Sequence, residues 1–216
     1  MIKEQTNKEG MAVDSEGHQL LKEIFPQLVE SAIICGVLVV ADLSNKKLVD
    51  EKIRKWVRQR AKSKHSHFVI IHQDTLLSSF EQSVKEDDFN LAYVFLATYF
   101  EHFINEIIQI WTIRNDVPNS TLKELLKYVS FEGKFTWLID VMKLPKFNRK
   151  HFNLIKKVSE KRSSFLHYKF QGKSEEEYDY EENESKLLFK EICSTINYCK
   201  AYRKKIIFKE QADISD

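Results

Sequence analysis

The sequence predicts an all-α fold: a bundle of four or more helices with an N-terminal helical extension. Only 5 Gly and 3 Pro occur among 216 residues, which are few turn residues for a fold built from short strands. The stretch 89–114 contains neither residue type and carries apolar side chains at helical spacing. At 43% hydrophobic residues, the chain can bury a sizeable core.

The pattern of apolar and polar residues divides the chain into four parts. We expect a flexible N-terminus (1–17), a helical extension with a basic segment (18–73), a helical bundle (74–208) and a tail (209–216). Within the bundle, the longest uninterrupted pattern gives the clearest helix. The helices predicted there cover 89–114, 121–130, 134–143, 148–167 or beyond, and 186–208.

The extension has a less uniform pattern. Apolar residues recur at helical spacing from Leu20 to Ala32, whereas the β-branched run 33–40 fits either a buried helix or a short strand. Residues 46–61 predict an amphipathic helix, and 68–71 predict a short strand or a helix start. The apolar side of that helix consists of Val49, Ile53, Trp56 and Val57.

Charge and cysteine content narrow the possible functions. The net charge is +2, so any nucleic-acid contact must depend on local patches. The three Cys follow no metal or redox spacing, and we expect a cytoplasmic protein with reduced thiols. Residues 1–10 are polar and predict no signal peptide, and the longest apolar run, 32–41, is too short for a membrane span.

The candidate chemistry lies in the predicted helix 148–167, where Arg162 precedes His167 by five positions. The spacing alone is weak evidence, because Arg60 and His65 repeat it. On a helical wheel, Arg162 falls within about 20° of Ile155, in the middle of an apolar stripe. That stripe consists of Phe152, Ile155, Val158 and Leu166. An Arg in such a position needs a carboxylate, a cleft or an interface.

The two residue types suit RNA cleavage. His titrates near neutral pH and can move the proton of a ribose hydroxyl, while Arg stabilises charge that develops on a phosphate. Because RNA supplies its own 2′-OH nucleophile, we expect no metal and no cofactor. On an ideal helix His167 points well away from Arg162. Joint action therefore requires a helix distortion before His167 or a cleft shared by two subunits.

Three segments carry a resemblance to a known family. Residues 157–169 (KVSEKRSSFLHYK) resemble the R-x4–6-H helix of HEPN domains, and 91–108 and 131–145 resemble an early helix and the middle section of that superfamily. The resemblance covers about 74–208. It implies a helical bundle that dimerises and cleaves RNA without metal, leaving a 2′,3′-cyclic phosphate. It also implies a prokaryotic toxin or anti-phage effector held silent by an inhibitory partner or antitoxin.

The resemblance assigns Arg162 and His167 as the catalytic pair. Ser163 stands where many members have Asn, Asp or His, and some members have lost catalysis and serve as binding modules. The alternative is therefore an inactive HEPN-like module that docks a partner protein or nucleotide. Ser163 and Tyr168 are predicted supporting residues.

Two polar residues of helix 89–114 are further supporting candidates. Glu101 and Asn105 are four positions apart and share a helix face. Because a buried Arg needs an acidic partner, Glu101 is expected to pair with Arg162 or to orient the catalytic groups. The alternative is a solvated polar stripe.

Charged segments supply the RNA-binding candidates, which are Lys55, Arg58 and Lys169. Trp56, within the basic segment, is expected in the core. His65, His67 and His72 have too few ligands nearby to predict a metal site. The acidic run 174–185 is interpreted as a solvated loop, or alternatively as a loop beside the cleft that mimics or repels RNA.

Overall fold

The computed structural model describes residues 15–61, 73–166 and 175–208, with side chains described for 24–60, 73–166 and 182–208. Every regular element in these ranges is a helix and none is a strand, which confirms the all-α prediction. No helix in the described ranges is both long and apolar enough to cross a bilayer. The chain forms two compact units, Met1–Lys64 and His65–Asp216.

The first unit contains two α-helices and a short 3-10 helix between them. They are α1 (Ser15–Ile34), the 3-10 helix (Val40–Ser44) and α2 (Lys46–Ala61). The ambiguous run 33–40 forms the end of α1 and a turn, because Gly36 adopts a φ of 69° that breaks the helix. Asp42 closes the start of the 3-10 helix by accepting the Val39 amide at 3.0 Å.

Two of the four residues predicted on the apolar side of α2 are buried. Val49 and Ile53 are buried as expected. Trp56 is half-buried rather than in the core, and Val57 is 39% exposed. The Arg60 guanidinium lies over the Trp56 ring, 5.0 Å from its centroid. A cation therefore covers one face of this half-buried ring.

The second unit is a bundle around one buried helix. Its first helices are α3 (Gln73–Lys85), α4 (Phe89–Arg114) and α5 (Asn119–Tyr128). Two short helices follow, α6 (Phe131–Phe135) and α7 (Trp137–Val141). The last two are α8 (Arg149–Leu166) and α9 (Glu175–Phe208).

Helix α4 occupies the bounds that the sequence predicts and forms the centre of the bundle. Asp88 caps it by accepting the Leu91 amide at 3.0 Å, and no Gly or Pro interrupts it. Buried residues lie on most of its circumference, as expected for a helix packed on several sides. Helices α3, α8 and α9 all pack against α4. The position of α8 relative to α4 and α9 therefore decides what surrounds Arg162.

Helices α8 and α9 run antiparallel. Near the start of α8, His151 Nδ1 lies 2.9 Å from Thr195 Oγ1. Near its end, Lys161 Nζ lies 2.7 Å from the Glu184 carboxylate. The residue numbers of each pair add to nearly the same value, so the register is constant along the hairpin. The C-terminal half of α8 therefore lies beside the N-terminal third of α9.

Two predicted boundaries are wrong, and one helix was not predicted. The interruption and acidic loop expected up to residue 185 are helical from Glu175, because α9 begins there. Glu is a good helix former, and acidic residues near a helix N-terminus are stabilised by the helix dipole. The predicted helix 134–143 is two helices separated at Thr136. Helix α3 was not predicted, although its buried Leu77 and Phe80 are three positions apart.

Candidate functional site

The stripe of α8 that faces the core stops before the end of the helix. Leu154, Ile155 and Val158 are buried, and Phe152 is half-buried. Leu166, expected on the same stripe, is instead 45% exposed.

Helix α4 begins near the level of Arg162. The Tyr93 hydroxyl donates to Ser185 Oγ at 2.9 Å, one residue from Glu184, which pairs with Lys161. Leu166 lies four positions beyond Arg162, past this level, and is 45% exposed. Arg162 consequently sits at the edge of the core, where burial gives way to solvent.

Arg162 is half-buried, and its Nε is a buried atom. Among the described residues, none forms a hydrogen bond or an ion pair with this guanidinium. A buried donor without a partner costs about 1–3 kcal/mol. An Arg in this condition can still donate to an incoming anion, since the fork of its guanidinium matches phosphate and carboxylate geometry.

Glu101 and Asn105 lie away from Arg162. Glu101 is exposed and eight residues beyond Tyr93 on α4, which is about 12 Å along the axis. No described hydrogen bond or ion pair joins Glu101 to Arg162, and the register of α4 against α8 explains this. The amide oxygen Oδ1 of Asn105 accepts a hydrogen bond from Lys134 Nζ at 2.9 Å.

Lys134 is a buried cation that the sequence analysis missed. It is 3% exposed, and Nζ donates to Asn105 Oδ1 and to the Leu126 carbonyl, each at 2.9 Å. Burial lowers the pKa of Lys134, and the nearby charge of Glu101 opposes this effect. Leu126 lies in the last turn of α5, where a cation is favoured by the helix dipole. Asn105 and Lys134 therefore fix α5 and α6 to α4.

The structure describes one of the remaining predicted motif residues, Ser163. Ser163 is half-buried on α8, next to Arg162. His167, Tyr168 and Lys169 lie outside the described residues, so the structure does not place the predicted pair relative to each other.

The predicted RNA-binding residues Lys55 and Arg58 belong to the other unit. Both are exposed on α2 and line a shallow depression together with Glu51, Arg54 and Gln59. Neighbouring charges on this surface are already neutralised. Lys52 pairs with Asp42 at 2.8 Å, and Arg54 pairs with Asp50 at 2.7 Å.

The second Arg–His pair has a different environment. Arg60 is exposed, stacks on Trp56 and donates to Cys35 Sγ at 3.7 Å. Its partner in spacing, His65, lies outside the described residues, as do His67 and His72. Across the ranges that the structure describes, no group of three His, Cys, Asp or Glu side chains is placed to hold a metal ion.

His151 is a second residue that the sequence analysis overlooked. Its ring stacks on Tyr198, with centroids 4.3 Å apart, and Nδ1 contacts Thr195. Burial, assisted by the charge of Lys150, lowers the pKa of His151. A helical wheel places it about 40° from Ile155, and that position was the available signal.

Glu106 and Arg203 form the best-satisfied ionic pair among the described residues. Arg203 Nε lies 3.0 Å from each carboxylate oxygen of Glu106, and Nη2 lies 2.8 Å from Oε1. The Gln73 amide donates to the same carboxylate at 2.9 Å. This network connects α3, α4 and α9. The Glu106 carboxylate is paired with Arg203 and not with Arg162.

Comparison of the chain with protein-family models, with curated proteins and with solved structures found no match.

Proposed function

We propose that this protein is a metal-independent endoribonuclease of the HEPN type, acting as a homodimer in the cytoplasm. In this proposal, Arg162 and His167 of both subunits line one cleft. The biological setting that the resemblance implies is a prokaryotic toxin or an anti-phage effector, held silent by an inhibitory partner protein or antitoxin.

The observation that carries the proposal is the state of Arg162. It lies at the edge of the core with a buried Nε that has no partner among the described residues. Arg203, in the same unit, shows that a half-buried Arg of this fold can be fully satisfied by a carboxylate. That no carboxylate among the described residues pairs with Arg162 supports a role in binding an anion from outside, and a phosphodiester is an anion of this kind.

The proposed chemistry needs only side chains and the substrate. His167 accepts the proton of the ribose 2′-OH while O2′ attacks the adjacent phosphorus. The bond from phosphorus to O5′ breaks, which leaves a 2′,3′-cyclic phosphate and, after protonation of O5′, a 5′-hydroxyl. The Arg162 guanidinium stabilises the negative charge that develops on the phosphate oxygens.

A cleavage assay tests the proposal. Purified protein is incubated in EDTA with several single-stranded RNAs, beside Arg162→Ala and His167→Ala. We expect cyclic-phosphate products from the unmodified protein and a rate loss of at least about 100-fold in each variant. Arg60→Ala is the matched control, since Arg60 has the same spacing to a His, and it should cleave normally. Cleavage that survives Arg162→Ala or His167→Ala would contradict the assigned pair.

Ser163 favours a second candidate, the inactive binding module. It is half-buried beside Arg162, at a position where the resemblance leads us to expect Asn, Asp or His. Under this alternative, the Arg162 guanidinium binds an anionic group of a partner protein or nucleotide without chemistry. A folded dimer that cleaves none of several RNAs would favour the module over the enzyme.

A further inference from the structure

One edge of α8 carries a row of lysines that ends at Lys161, the residue before Arg162. Lys150, Lys157 and Lys161 are 7 and 4 positions apart and fall within about 40° of one another on the helical wheel. Lys150 and Lys157 are exposed, and Lys161 has 33% of its side chain exposed. The row spans about 16 Å of the helix surface.

The C-terminal part of the row already holds an anion. Lys161 Nζ lies 2.7 Å from a Glu184 carboxylate oxygen, and this side chain of Glu184 remains 43% exposed. The hydrogen bond from Lys161 lowers the pKa of Glu184, and the charges of Lys161 and Lys157 lower it further. Two lysines one turn apart therefore act on the same carboxylate group.

The other two lysines of the row, Lys150 and Lys157, are not paired with a carboxylate among the described residues. Within the described ranges, neither Lys150 nor Lys157 forms a side-chain hydrogen bond or an ion pair. On the opposite edge of α8, Lys156 instead lies 3.4 Å from Glu132 of α6. The two edges of one helix thus differ in that, among the described residues, the first two lysines of the edge facing α9 form no ion pair.

The register of the hairpin relates the row to Arg162. Lys161 directly precedes Arg162, and Glu184 stands level with both. A strand of RNA whose scissile phosphate meets Arg162 would pass its next phosphates along α8, over Lys161, Lys157 and Lys150. Phosphate contacts of this kind position a nucleic acid without reading its sequence.

We infer that Lys150, Lys157 and Lys161 form a binding track for the backbone of single-stranded RNA, and that the Glu184 carboxylate occupies the phosphate position at the end nearest Arg162. The inference rests on the proposed function for the identity of the anion. Glu184 competes with RNA for Lys161, so its ion pair opens when RNA binds.

The test measures binding rather than cleavage. The dissociation constant of the full chain for 2′-O-methylated RNA, which lacks the attacking 2′-OH, is measured over a range of salt concentrations. Lys157→Gln should weaken binding roughly three- to tenfold for all sequences. It should also reduce the salt slope by about 0.7, the contribution of one phosphate contact on a single strand.

Two further variants make the test specific. Glu184→Gln removes the ion pair between Lys161 and Glu184 without removing a lysine. It should tighten binding by roughly two- to fivefold, because an exposed ion pair is worth little. Lys156→Gln is the matched control on the opposite edge of α8 and should change neither the dissociation constant nor the salt slope. All three substitutions are at the surface, and unchanged thermal unfolding verifies their fold.

The outcomes separate this inference from the proposed function. Unchanged binding in Lys157→Gln, or equal weakening in Lys156→Gln, would overturn the track even if the protein cleaves RNA. The expected pattern of binding would support the track even in a protein that never cleaves. If a polyglutamate peptide binds more tightly than the RNA and displaces it, the row is a surface for an acidic protein and the inference is wrong.

Discussion

Two half-buried arginines of the second unit, Arg203 and Arg162, are in opposite states. Arg203 meets the Glu106 carboxylate through three contacts of 2.8–3.0 Å, and Gln73 completes the network. Arg162 has a buried Nε with no partner among the described residues. The same residue type at similar burial thus holds helices together in one place and lacks a partner among the described residues in the other. A buried donor that no described residue satisfies costs stability.

The comparison predicts opposite effects on stability. Arg203→Met leaves the Glu106 carboxylate partly buried without its cation and should lower the free energy of unfolding by about 3–5 kcal/mol. Arg162→Met should raise it by about 1–3 kcal/mol, because the substitution removes a buried donor that has no partner among the described residues. Urea unfolding measures both. The double variant Arg203→Met with Glu106→Leu should recover most of the loss.

Equal destabilisation by the two single variants would break the comparison, because it would mean that Arg162 also supports the fold. RNA cleavage measured on the folded fraction of each variant tests the same difference between Arg203 and Arg162. Arg203→Met should retain the activity that Arg162→Ala loses, at conditions where both proteins are folded.

Lys134 tests whether a buried cation can be structural without a carboxylate. Lys134→Met removes the hydrogen bonds to Asn105 and to the Leu126 carbonyl and should cost about 1–3 kcal/mol of unfolding free energy at neutral pH. Burial lowers the pKa of Lys134, so the folded chain releases this proton at a lower pH than the unfolded chain does. The unfolding free energy of the unmodified protein relative to Lys134→Met should therefore rise as the pH increases toward 10.5.

The measurement is urea unfolding of both proteins at a series of pH values from neutral to alkaline. Taking the difference between them cancels the titration of the other lysines and of the tyrosines. A difference that stays constant or shrinks over this range would show that the Lys134 ammonium is not penalised by burial.

His151 should give the smallest effect. Its pKa is lowered by burial and by Lys150, so the unfolded chain binds this proton more readily than the folded chain. Stability contributed by neutral His151 is present above pH 6.5 and is lost as the pH falls through its lowered pKa. The unfolding free energy of His151→Phe should therefore fall less on acidification from pH 7 to 5 than that of the unmodified protein. Parallel curves would assign the acid sensitivity to other groups.

Much of the fold followed from the residues alone because the signal was local. Helix α4 has the predicted bounds, since 26 residues without Gly or Pro carry a helical apolar pattern and Asp88 supplies a cap. The acidic start of α9 was misjudged because high charge is typical both of solvated loops and of exposed helices. Composition alone does not distinguish these two, whereas packing of Ser185 and Leu188 against the bundle does.

The candidate site was less predictable. The position of Arg162 on the apolar stripe of α8 was correct, but the expected partner Glu101 was not its neighbour. Pairing across two helices depends on their axial register, and nothing in the spacing of Glu101 and Asn105 specifies how α4 aligns with α8. The same limit applies to Lys134, whose burial follows from the meeting of α4, α5 and α6.

The sequence by itself determined the helical class, the bounds of α4 and the presence of a cation on the buried side of α8, because each depends on the 3.6-residue periodicity of one segment. Tertiary structure alone decided which polar groups are satisfied. Glu106 reaches Arg203, Asn105 reaches Lys134, and Glu184 reaches Lys161, each across more than 20 residues of chain. Arg162 Nε is left without such a partner among the described residues, and no periodicity of a single segment predicts this.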